Sequence, residues 1–153
     1  MNLNIVCRSA IALLACSSAS VATAQTVEVI GGQTNVLLDT VTLEQAANLV
    51  ISGTAGPVIA PGNLGAASVA FPVNSRTDTL PTTFEYDPSD FLGNFAGTIE
   101  HSGSVLFNSD AIEVGDFTIG FDVARAAGQA SGFFVEITVG IQEILFDIAN
   151  PAV

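Results

Sequence analysis

Lysine is absent from this chain. Its cationic side chains are Arg8, Arg76 and Arg125, against fifteen Asp and Glu, for a formal net charge of −12. Nucleic acid is a poor partner for such a surface, because gripping a phosphate backbone needs clustered Lys and Arg to displace counterions. Tryptophan is also missing and Tyr86 is the single tyrosine, so the exposed amphipathic rings that sugar-binding platforms use are lacking. His101 is the single histidine, with no second one to help build a zinc or copper site. No G-x-S-x-G turn occurs, and no nucleophile is marked out for a hydrolytic triad. Of the groups that carry acid–base chemistry, carboxylates alone are plentiful.

Cysteine is confined to Cys7 and Cys16, both near the start. Residues 1–24 read as a secretory signal peptide: Arg8, an apolar stretch around Ile11 to Ala15, then small residues at Ala22 and Ala24. Cleavage after Ala24 leaves residues 25–153 as one domain free of cysteine, held by packing and not by disulfides. An alternative lies in Leu13-Leu14-Ala15-Cys16, which approximates a bacterial lipobox and would place a lipid anchor on Cys16. An exported chain without disulfides suits a bacterial product, secreted or at the cell surface, or else an outer-membrane lipoprotein. No later apolar run is long enough for a transmembrane helix.

What the chain does have is alternation. Ile99, His101, Gly103, Val105 and Phe107 share one parity, against Glu100, Ser102, Ser104 and Asn108. Phe117, Ile119 and Phe121 repeat the pattern, as do Phe133, Val135, Ile137 and Val139, and Ile144, Phe146 and Ile148 close it. Period two signifies half-buried strands, and Gly103 within one signals a bulge or a close backbone approach. Earlier strands are expected at Thr26 to Ile30, Asn35 to Val41, Leu49 to Ser52 and Ser68 to Val73, the last on an edge because Pro72 has no ladder donor. Leu43 to Leu49 is the one stretch of good helix formers, with Thr42 as its expected cap and Gln45 completing a capping box. Gly53 to Ala67 reads as a long loop. The expected fold is all-β: a single-domain antiparallel β-sandwich or partly closed barrel of about nine short strands with at most one short helix.

The segment from Asn74 to Gly93 is rich in turn formers and carboxylates, and loops of this length are often functional. Asp78, Glu85, Asp87 and Asp90 make it the first place to look for a calcium ion, which takes six to eight hard oxygens in a loose geometry. The plainer reading is that Asp-Pro and Ser-Asp are ordinary turn residues bonding nearby amides. Asn108, Asp110 and Asp116 form a weaker second candidate. His101, on the apolar parity of its strand, reads as a structural histidine. Phe134 and Leu106, on the opposite parity from their apolar neighbours, suggest a second buried face or a subunit contact.

Four segments are familiar together: Ser68 to Arg76 (SVAFPVNSR), Leu80 to Tyr86 (LPTTFEY), Gly97 to Phe107 (GTIEHSGSVLF) and Val114 to Asp122 (VGDFTIGFD). They resemble small exported bacterial proteins of the PEP-CTERM-associated type, a group linked to exopolysaccharide and cell-surface material. The resemblance spans about residues 31 to 148 and implies no active site. Asn150 to Val153 lacks the sorting tail of that group. The expectation is therefore a non-enzymatic structural, matrix or interaction protein that associates with itself or with envelope and polysaccharide material. A calcium-dependent ligand-binding module and a carboxylate-based hydrolase are the alternatives.

Overall fold

The computed structural model describes residues 25–90 and 94–150. The expected leader with its cleavage point and Cys16, together with Phe91 and the final three residues, lies outside them. In chain order the elements are β1 (Val27–Glu28), β2 (Gln33–Leu37), α1 (Thr40–Ala47), β3 (Ile51–Ala55), β4 (Ser68–Pro72), β5 (Glu85–Tyr86) and β6 (Phe95–Ala96). There follow β7 (Ile99–Glu100), β8 (Ser104–Phe107), β9 (Ile112–Gly115), β10 (Phe117–Phe121), a 3-10 turn (Val123–Arg125), β11 (Ala130–Ile137) and β12 (Glu143–Ala149). These strands form four antiparallel sheets, ordered β1-β5-β6, β2-β4, β3-β8-β9 and β12-β11-β10-β7. The fold is all-β and sandwich-like, and among the described residues no sheet closes into a barrel.

The alternating segment from Ile99 to Phe107 is not one strand. β7 pairs with β10, Ile99 opposite Ile119 and Glu100 opposite Thr118, whereas β8 pairs with β3 and β9 in a different sheet. The handover falls at Gly103, whose φ of +106° favours glycine and where a Cβ would stand 2.6 Å from Val58 Cγ2. Close backbone approach, one of the two readings of that glycine, is what the fold uses. Glu100 and Ser104, on the polar parity, are buried at 5% and 4% exposure, contrary to a half-buried strand. Each has a partner: Thr118 Oγ1 donates to Glu100 Oε2 and Ser104 Oγ to Glu113 Oε1. A buried polar side chain is tolerable on those terms.

The helix starts earlier than expected, because its cap is Asp39 and not Thr42. The Asp39 carboxylate accepts from Thr42 N at 3.0 Å and Thr42 Oγ1 at 2.7 Å. The same turn stops β2 at Leu37, well short of Val41. Asn48, in the left-handed region at φ 54°, ends the helix. β3 runs on through Gly53 to Ala55, so the following loop opens at Gly56 instead. β4 has β2 as its strand partner and on its other side a single bridge, Ile59 to Ala70, in keeping with its proline.

Val69, Phe71, Val105 and Phe107 form the buried core, and Val36, Leu38, Leu43, Leu49, Val114 and Phe117 pack against it. A second cluster is aromatic: Phe95 meets Phe121 edge-on at 4.6 Å and stacks on Phe133 at 5.1 Å. It fastens the β1-β5-β6 sheet to the four-stranded one.

Candidate functional site

Two of the four carboxylates of the acidic loop, Asp78 and Asp87, are occupied with the loop itself. Asp78 Oδ2 accepts from Ser75 N at 2.6 Å. Asp87 Oδ1 accepts from Ser89 N at 2.8 Å and Ser89 Oγ at 2.6 Å, and these bonds, the hydroxyl's foremost, lower its pKa. Asp90 closes the same turn through its backbone, donating to Asp87 O and accepting from Asn94 N. Glu85 lies apart on β5, opposite Glu28 of β1, with Arg76 3.4 Å from Glu28. The loop is tied down by buried Asn74, whose Nδ2 donates to Leu80 O and whose Oδ1 accepts from Ser102 Oγ. The second candidate turn is also structural: Asn108 Oδ1 accepts from Val50 N, Asp110 Oδ1 from Ser52 Oγ, and Asp116 Oδ1 from Gly103 N. Among the described residues no group of three or more His, Cys, Asp or Glu is placed to hold a metal ion.

His101 is 1% exposed and bonded at both ring nitrogens. Nδ1 is 2.9 Å from Phe117 O and Nε2 is 2.7 Å from Thr34 Oγ1. A carbonyl only accepts, so Nδ1 carries the proton and Nε2 of the neutral ring accepts from the Thr34 hydroxyl. Burial lowers the imidazole pKa from its ordinary 6.5, opposed by the Phe117 hydrogen bond and the charge of Glu100. The pair has the direction of a base drawing on a hydroxyl, but acyl transfer also needs donors for a developing oxyanion. The accessible wall of the cavity that the pair borders supplies none. His101 and Thr34 border a cavity of about 350 Å³ whose other lining residues are all Val, Leu, Ile or Phe, and whose accessible wall is apolar throughout.

That cavity is built from both sides of the fold. One wall comes from β2, α1 and the β3-β8-β9 sheet, through residues such as Val36, Leu43, Val105 and Val114. The other is the four-stranded sheet, through Phe117, Ile119 and Val135, with Leu145 and Phe146 at its rim. Leu145 and Phe146 are consecutive, and in a regular strand they would face opposite ways. Val135 pairs with Phe146 and Glu136 with Ile144, so Leu145 is the extra residue of a bulge. The bulge turns both side chains to the same rim. Apolar residues in succession at Ile144-Leu145-Phe146, breaking the alternation, are the sequence sign of it.

Phe134 finds its cover within the chain. It packs on Gly120, where a Cβ would lie 2.5 Å from Phe134 Cζ, and beneath the Arg125 guanidinium at 5.7 Å. Among the described residues no helix is long and apolar enough to cross a membrane. No family model matches the chain, and no curated protein or solved structure matches it either.

Proposed function

We propose that the chain is an exported, non-enzymatic surface or matrix protein of a bacterium that works by associating with itself. The observation that carries this reading is the exposed apolar run along β12. β12 is the terminal strand of its sheet among the described residues, and Ile144, Leu145 and Phe146 on it are 39%, 41% and 55% exposed. Ile141, in the turn before it, is 62% exposed. A terminal strand presents unpaired backbone groups, and an apolar one attracts a second strand. Lysine and proline, two of the devices that blunt such an edge, are not found within β12, whose bulge and whose Glu143 and Asp147 leave the apolar run Ile144 to Phe146 exposed between them. The surroundings suit a matrix setting: a net charge of −12 opposes association at low salt and yields to it as ions screen the repulsion.

The test is sedimentation velocity of the full chain across protein and salt concentrations. Assembly is expected to grow with both, and the Ile141→Lys/Ile144→Lys double variant is expected to stay monomeric. A wild-type chain that remains monomeric at high salt sinks the reading. The acidic loop supports no second reading, since Asp78 and Asp87 already serve their own turns.

A further inference from the structure

The geometry points to a binding site for an uncharged aliphatic molecule in the cavity between β2, α1 and the four-stranded sheet. Its volume, about 350 Å³, lies within the range of small-molecule pockets. A dry apolar cavity of about 150 Å³ takes one benzene, which scales this one to a chain of roughly ten to fourteen heavy atoms. Water is a poor occupant, because it needs two to four polar partners and the accessible wall here is apolar.

The same wall selects against a charged ligand. His101 and Thr34 are the only polar residues bordering the cavity, and each satisfies the other. Neither offers a hydrogen bond inward, so nothing inside can compensate a buried carboxylate or ammonium. The rim adds Leu145 and Phe146, exposed and apolar, brought to one edge by the bulge. Any polar end of the ligand stays outside them. There the chain's net charge of −12 disfavours an anionic head.

The rim residues Leu145 and Phe146 are shared with the association surface, but the rest of the cavity lining is not. Ile141 and Ile144, the residues chosen to disrupt assembly, do not line the cavity.

Decan-1-ol is the probe, titrated into the full chain with the Val, Leu and Ile methyl groups followed by NMR. Saturable one-to-one binding is expected, with shifts concentrated at Val36, Val105, Val114 and Val135. Shifts confined to Ile141 and Ile144, or binding that never saturates, overturn the assignment. Val135→Trp and Val114→Phe fill the cavity from opposite walls. Either is expected to weaken decanol by about tenfold or more, the scale on which a few methylenes count in an apolar pocket. Unweakened binding in a variant whose far-UV spectrum matches the wild type overturns it as well. Should neither variant fold, the wild-type methyl map decides alone. Decanoate is expected to bind more weakly than the alcohol by about tenfold or more, since its charge finds no partner. Equal or tighter decanoate binding overturns the exclusion of charge. The Ile141→Lys/Ile144→Lys variant is expected to retain decanol binding, and losing it would place the ligand on the association surface instead.

Discussion

Thr34 and His101, 67 positions apart in the chain, meet at 2.7 Å, the hydroxyl donating to Nε2. The contact joins β2 to the residue that follows β7, and the second ring nitrogen of His101 ties it to β10 through Phe117 O. Removing the hydroxyl leaves a buried acceptor with no donor. Thr34→Val is therefore expected to lower the unfolding free energy by about 1–3 kcal/mol, while Thr34→Ser keeps most of it. Urea midpoints of the two variants check this, and equal midpoints would refute it.

The protonation of His101 gives a pH dependence of definite sign. Its pKa in the folded chain lies below the 6.5 of the free side chain. Between those two values the unfolded chain binds more protons, so stability rises with pH through that window. The contribution is fully present above about 6.5 and is lost as pH falls toward the folded value. In His101→Gln that part of the slope is expected to vanish, leaving only the carboxylates' share. Urea titrations of both proteins between neutral and mildly acidic pH provide the comparison.

At Gly103 a methyl group would meet Val58 Cγ2 at 2.6 Å and Ala55 O at 3.2 Å, on a backbone already at φ +106°. Gly103→Ala is expected to destabilise by about 2 kcal/mol or more. A thermal melt within a degree or two of wild type would show that the handover between sheets does not need glycine there.

Calcium is expected to leave the melt of the full chain where excess EDTA puts it. A ligand bound only by the folded state raises apparent stability by mass action. Asp78 and Asp87 already accept hydrogen bonds from Ser75 and Ser89, and no metal-holding cluster occurs among the described residues. A saturable rise that Asp87→Ala with Asp90→Ala abolishes would return the acidic loop to the list of sites.

The fold class was legible because alternation is a property of single strands: Phe117, Ile119, Phe133, Val135 and Ile137 announce their pleat without reference to neighbours. Placement was less legible. Nothing in the run from Ile99 to Phe107 tells that its halves join different sheets, since both keep the same parity on either side of Gly103. Glu100 read as a solvent-facing residue because its partners, Thr118 and Thr82, come from 18 positions away in either direction. The helix cap was misplaced by three residues: Asp39 and Thr42 are both good cap types, and sequence alone does not say which one the chain turns at. The cavity was the least visible, because its lining residues look like ordinary core. They become a binding surface only when two sheets stand far enough apart.

The passage of one segment through two sheets has a mechanical meaning. β7 and β8 are separated by three residues, and Gly103 between them is clamped to Asp116 by bonds in both directions, Gly103 N to Oδ1 and Asp116 N to Gly103 O. Tension on either sheet is thus delivered to the other through covalent backbone. Parting the two sheets at this point therefore means breaking the Gly103–Asp116 clamp.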